Sequence, residues 1–254
     1  MKTKGFTLIE IVTVIVLLSI VTLGTTRFIV QSTQQYTDSA RRSQLMAQGR
    51  VLVEQLTRRL RNALPNSVRI SGNCIEFFPV ITAAGLVDPL PLIPVNQLLT
   101  GGFGWSYSGI SYASAMPLAT SEVYKASYGS EEVIKEVSSV NGSAGEINLT
   151  GFNQFPHHSK SERVFLVGEP ERYCRTGSGQ LIGYRNYGIK ANLDASDPGG
   201  TTVLLADKLD TSVTPFVYSP GSLIENAVVK VTLSFSDQGE VLELSHEVHI
   251  RNVP

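Results

Sequence analysis

Residues 1–26 read MKTKGFTLIEIVTVIVLLSIVTLGTT, and the fold turns on how this stretch is read. From Phe6 to Thr26 the only charged residue is Glu10. A helix over those residues spans roughly 30 Å, the thickness of a bilayer's hydrocarbon core. Lys2 and Lys4 favour a cytoplasmic amino end, whereas Arg27, Arg41 and Arg42 pull the other way, so charge alone leaves orientation open. Three readings compete: a secretory signal peptide, a plain single-pass anchor, and a segment in which the acid has a task. A carboxylate costs about 2.5 to 3.5 kcal/mol at the centre of such a helix and less near its end. Neither export nor simple anchoring gains anything from it.

The chain has 254 residues and 42% hydrophobic content, enough for one sizeable domain or two small ones. A net charge of -1 offers no electrostatic footprint for nucleic acid, and none is expected as a partner. No proline falls between Phe6 and Leu64, which permits one long helix. Leu45, Leu52, Leu56 and Leu60 recur on one of its faces, and Arg50, Glu54 and Arg58 form i,i+4 pairs on the solvent side. RNALPN closes the helix, because Pro65 disfavours helical geometry at Leu64 and has no amide to donate. Gly24, with Thr25 and Thr26, is a weak point where the helix leaves the apolar run. Gly49 costs about 1 kcal/mol relative to alanine and marks a place where a strand crosses closely. Arg58, Arg59 and Arg61 read as a solvated basic face.

Beyond Asn66 the pattern changes to short alternating runs. SVRI, CIEFFPVI, EINLTGF, RVFLV, LIGYRNYGI and TTVLLA read as strands. Val229, Val231, Leu233 and Phe235 alternate with polar residues, SDQG turns, and Leu242, Leu244, Val248 and Ile250 resume the alternation, which predicts an antiparallel hairpin. ERYCRTGSGQLIGYRNY predicts a second hairpin turning near Gly177 and Gly179. Leu86 to Gly109 shows no regular period and reads as an irregular excursion packed on the head. The expected fold class is α+β, with the amphipathic half of the long helix laid on an antiparallel β-rich head.

No constellation for catalysis emerges, and no cofactor or metal is expected. His157 and His158 are adjacent in a polar loop, and neighbours in sequence rarely share a metal. His246 is expected in the core between Leu244 and Val248, with His249 on the other face. Asp194 and Asp197 resemble half a calcium loop without its remaining ligands. GxSxG, HExxH and phosphate-binding glycine patterns are missing. Cys74 and Cys174 lack CxxC spacing, so one long-range disulfide is the simplest reading in an oxidising compartment, against the alternative of two buried thiols.

GFTLIE, Gly5 to Glu10, resembles the cleavage motif of type IV prepilins and pseudopilins: a short basic leader ending in glycine, then phenylalanine, with glutamate fifth in the processed chain. The resemblance implies cleavage between Gly5 and Phe6 by prepilin peptidase and N-methylation of Phe6. It implies a leader at 1–5, a transmembrane and assembly helix at 6–27, an amphipathic continuation at 28–64 and a β-rich periplasmic head at 65–254. Losing Lys2 and Lys4 with the leader takes the formal side-chain charge from -1 to -3. In a bundle of apolar helices, Glu10 of one subunit then neutralises the new ammonium of its neighbour. Wrong axial registers leave charge unpaired in a low dielectric.

RNALPNSVRI, CIEFFPVI, RYC and the ending HEVHIRNVP together resemble the MshO-type minor pilins of the mannose-sensitive haemagglutinin (MSHA) pilus system. They share features with the J-type minor pseudopilins of type II secretion. The resemblance implies a minor pilin active in pilus initiation and assembly, held single-pass in the inner membrane, with entry into the filament left open. Implied partners are other major and minor pilins, prepilin peptidase, the inner-membrane assembly platform and membrane lipid. The alternatives are a J-type pseudopilin, a membrane-anchored periplasmic binding module or hydrolase, and a filament-tip adhesin using GFGWSYSGISY.

Overall fold

The computed structural model describes residues 5, 7–88, 94–102, 108–115, 117–125, 132–156, 162–194, 197–221 and 225–250. Helix α1 runs unbroken over Leu8–Arg61, 54 residues or about 80 Å. It continues through Gly24 without interruption, where a loosening was expected. Around it Thr22 donates to Leu18 O at 2.7 Å, Thr25 to Val21 O at 2.9 Å and Thr26 to Thr22 O at 2.7 Å. These bonds leave no side-chain donor unsatisfied around the glycine. The helix ends three residues before Leu64, because the following backbone is recruited elsewhere. Val80 N–H donates to Asn62 O at 2.7 Å and Leu64 N–H to Phe78 O at 2.8 Å.

The chain divides into two compact units, Met1–Ala47 and Gln48–Pro254. Of the first, the described part is helix. In the second, the end of α1 packs on a β-rich head of three antiparallel sheets, meeting Phe235 and Leu244 at Gly49 and Glu171 at Arg59, which confirms the α+β class. Leu52, Leu56 and Leu60 are buried there, and Leu45 on the same helix face is buried as well.

The five-stranded sheet comprises β1 (Arg69–Ser71), β2 (Cys74–Phe77), β9 (Glu171–Arg175), β10 (Leu181–Arg185) and β11 (Thr201–Ala206), in that order. A six-stranded sheet has β3 (Val80–Gly85), β8 (Arg163–Val167), β5 (Tyr112–Ser114), β6 (Ile134–Asn141), β7 (Glu146–Asn153) and β4 (Val95–Leu99). The third has β12 (Phe216–Ser219), β13 (Ala227–Asp237) and β14 (Glu240–Ile250). A short helix α2 (Thr120–Val123) follows β5.

Both expected hairpins are present. Val229 faces Val248 and Phe235 faces Leu242 across β13 and β14, and the turn holds Gln238 at φ 48° and Gly239 at φ 91°. Two consecutive positive φ angles match the twist of the flanking strands. CIEFFPVI, read as one strand, is two: β2 and β3 belong to different sheets, and the chain changes layer at Phe78 and Pro79. Five elements were missed: β4, β5, β6, β12 and α2. The stretch 86–109 contains β4, which pairs with β7, although residues 89–93 and 103–107 lie outside the described ones. β5, β6 and β12 were also unread: β5 has only three residues, β6 mixes serine and lysine without a clean period, and β12 has four residues between Pro215 and Pro220.

Gly49 is explained by proximity. A Cβ there would lie 2.3 Å from Leu244 Cδ1 and 3.1 Å from Phe235 Cε2, so helix and hairpin meet as closely as expected. A larger side chain forces Leu244 and Phe235 apart, and overpacking of this kind costs about 1–3 kcal/mol. Gly49→Val should therefore lower the thermal midpoint of the detergent-solubilised chain by several degrees, measured by circular dichroism. An unchanged midpoint would contradict the close crossing.

Candidate assembly site

In the first unit the processing motif sits at the start of α1. Gly5 is exposed, and a Cβ added there would meet nothing within 4 Å, while Phe6 lies outside the described residues. Thr7 precedes the helix and its carbonyl accepts from Glu10 N–H at 3.1 Å and Ile11 N–H at 3.3 Å. Thr7 Oγ1 points to Glu10 Oε2 at 3.5 Å. The T-x-x-E spacing is that of a capping box, and a carboxylate in the first turn complements the helix dipole. Glu10 thus occupies the helix position where a negative charge is least costly.

The rest of that segment is apolar and open. Twelve large aliphatic side chains from Leu8 to Leu23 are each about half or more exposed. On insertion scales they contribute about 4–7 kcal/mol toward the membrane, more than the most Glu10 takes away. Within the run, Thr13 donates to Glu10 O at 2.9 Å and Ser19 to Ile15 O at 2.7 Å. Hydroxyls bonded back to the helix suit a medium without water.

Sequence reasoning did not single out the polar cluster of the second unit. Glu76 is fully buried in β2. Directly opposite on β9, Arg172 Nε donates to Glu76 Oε1 at 3.0 Å, and Tyr187 Oη donates to the same oxygen at 2.7 Å. Arg69 Nε donates to Glu76 Oε2 at 2.6 Å and extends its other nitrogens to the carbonyls of Lys190 at 2.7 Å and Ala191 at 2.6 Å. Arg69 also lies 3.6 Å over the Tyr124 ring. Burial and then the Glu76 charge push the Tyr187 phenol up, so it remains a donor. The signal was available: a lone acid inside CIEFF, comparable with Glu10 inside its own apolar run.

The opposite face of β9 holds a second acid, Glu171, which ties the end of α1 to the sheet. Arg59 Nη1 donates to both its oxygens at 2.8 and 2.9 Å, Tyr173 Oη donates at 2.5 Å, and Arg185 stands at 3.3 Å. The basic cluster therefore splits: Arg59 turns to the sheet, and Arg58 pairs with Glu54 at 2.8 Å in solvent. Beside the Glu76 pair, Cys74 faces Cys174 across the same strands, their Cα atoms are 4.1 Å apart, and the two are joined in a disulfide.

The remaining candidates separate. His246 is exposed, contrary to the expected core position. β14 is the outer strand of its sheet, and this stretch of it borders Glu54 of α1, while the core at that level comes from Val231 opposite. Glu54's carboxyl is held below the usual range, first by hydrogen bonding and charge from Arg58 and least by His246. His249 is exposed, and His157 and His158 lie outside the described residues. Asp194 accepts from Arg172 of β9 through its carbonyl at 3.2 Å, which joins its loop to the sheet, and Asp197 Oδ1 accepts from Gly199 N–H at 2.8 Å within its own turn.

Residues 1–26 match a family model described as the prokaryotic N-terminal methylation motif. Comparison with curated proteins and with solved structures returns no match. The motif supports a type IV prepilin or pseudopilin, and it implies processing by prepilin peptidase and association with other pilins. The exposed apolar helix that follows agrees with a membrane-anchored chain of this class.

Two outcomes follow for the second unit. Glu76→Ala leaves buried Arg172 without its counterion and should cost about 3–5 kcal/mol in chemical denaturation, whereas Glu54→Ala should leave the midpoint in place. Without reductant the chain should migrate faster in denaturing electrophoresis than with it. Two titratable thiols in the unreduced, denatured chain would rule out the Cys74–Cys174 bond.

Proposed function

We propose that this chain is a minor pilin, of the kind that helps initiate and assemble an MSHA-like type IV pilus, and that it works by association without catalysis. One observation carries the reading: a single carboxylate, Glu10, in the first turn of an exposed apolar helix five residues after Gly5. Once the leader is removed, Phe6 carries an ammonium, and Glu10 of an adjoining subunit is its counterion within the helix bundle. Attraction between unit charges grows as the dielectric falls, so the correct axial stagger is favoured over others. On this reading the head faces the periplasm, and the Cys74–Cys174 disulfide supports it because such a bond is stable in an oxidising compartment. Its partners on this reading are major and other minor pilins, the inner-membrane assembly platform and the lipid around α1.

The closeness of RNALPNSVRI and CIEFFPVI to MshO-type chains gains physical sense from the head. These segments hold Asn62, Leu64, Ser67, Glu76 and Phe78, which end α1 and switch the chain between sheets. Motifs of this kind report the build of the head, and the pilus system is inferred from them by resemblance.

Mass spectrometry of the mature chain should find N-methylated Phe6 at the amino terminus. A chain still bearing Met1, or beginning after Gly24, would end the proposal. Glu10→Ala should remain membrane-bound and processed but drop out of sheared pilus fractions by at least about tenfold, the loss expected when a buried charge pair is broken. Normal incorporation of that variant would remove the counterion role.

A further inference from the structure

β11 closes the five-stranded sheet on one side and, among the described residues, pairs with β10 alone. The alternation of the ladder fixes where its backbone points. Arg175 N–H donates to Asn73 O at 3.1 Å, so Cys74 and Cys174 form a non-hydrogen-bonded pair. Followed across β9 and β10, the same alternation makes Ile182–Leu204 and Tyr184–Thr202 non-hydrogen-bonded pairs. The amides and carbonyls of Thr202 and Leu204 therefore face the open side. Thr201 to Leu204 are exposed, with Val203 at 43% and Leu204 at 57%, and the strand TTVLLA contains neither charge nor proline.

Other outer strands among the described residues carry protection that β11 lacks. β14 bears Glu240, Glu243 and Glu247. β4 is partly covered, since Val87 N–H donates to Leu99 O at 3.0 Å, and β1 lies against β12. β3 is held at both ends, by Asn62 and by Gly101. Charge, cover and brevity are the usual ways in which an edge is kept from pairing.

We propose that β11 is a pairing edge for a second copy of this chain, whose own β11 adds antiparallel to the sheet. Open amides and carbonyls at strand spacing take an extended backbone, and uncharged faces exclude a partner selected by charge. Two six-residue edges bury far less than the ~1,200 Å² of a stable free interface, so the partner has to be held nearby. Confinement by α1 in one membrane raises the effective concentration, and another copy shares that anchor by construction. The inference rests in this respect on the membrane-anchored reading. A two-fold centred on Val203 sets that residue opposite its counterpart at about 4.5 Å between Cα atoms, and Thr202 and Leu204 exchange hydrogen bonds.

The test is cross-linking in membranes. The full-length chain carrying Val203→Cys, mildly oxidised and run without reductant, should give a band at twice the monomer mass, about tenfold stronger than for Val217→Cys, an exposed control on β12. Adding Leu204→Lys should abolish the band. Leu204→Pro should do the same, because it deletes a donor from the open side only, and in both the thermal midpoint should hold. Equal bands for Val203→Cys and Val217→Cys, persistence of the band with Leu204→Lys, or a cross-link to a protein of another mass would overturn the proposal. Recovery of the chain in the soluble fraction would overturn it together with the membrane reading.

Discussion

The aliphatic side chains of α1 from Leu8 to Leu23 are exposed along the helix and have to leave water. Their transfer outweighs the cost of Glu10, so the segment partitions into lipid despite the acid. Every Ser and Thr described between Thr13 and Thr26 bonds back to the helix, which lets polar residues exist in that environment. The length of α1 follows from the same constraint. One continuous helix carries the chain from an apolar phase to Gln48–Arg61, where a second apolar face, set by Leu52, Leu56 and Leu60, meets sheet instead.

Two acids in this chain obey one rule under different conditions. Glu76 is buried, and its counterions Arg172 and Arg69 come from the same chain, with Tyr187 completing its shell. Such a cluster is weak evidence for stability by itself, because desolvation offsets much of the attraction. What it does is fix places. Through Arg69 it draws Lys190 and Ala191 to the sheet, and through Arg172 it draws Asp194. Glu10 has no cation of its own chain at its carboxylate among the described contacts, only Thr7. On the proposed reading its counterion is supplied by assembly.

Hairpins were legible because local chemistry determines them. β13 and β14 alternate strictly and meet at Gln238–Gly239, and β9 and β10 meet at a turn whose Gly179 has φ 77°. The strands missed, β4, β5, β6 and β12, carry asparagine, glutamine, serine and lysine on faces whose burial depends on neighbours far away in sequence. CIEFFPVI misled for a related reason. Apart from Glu76 the segment is apolar throughout, but Phe78 and Pro79 sit where Ser67 and Leu64 receive the chain, and that meeting joins residues more than ten apart.

The sequence by itself determined the processing motif at Gly5 to Glu10, the span of the apolar helix, the buried leucine stripe and the reason for Gly49. All but the last depend on residues a few positions apart, for which helix and strand geometry provide the ruler, and Gly49 was legible because a helix-interior glycine signals a close approach whose partners, Leu244 and Phe235, lie far along the chain. Only the tertiary structure decided that Glu76 meets Arg172, that Arg59 leaves its basic neighbours for Glu171, that His246 is exposed, and that β11 ends a sheet uncovered. Those outcomes depend on which strand lies beside which. Pairing order is a global choice made by the whole set of apolar faces, and no local pattern encodes it.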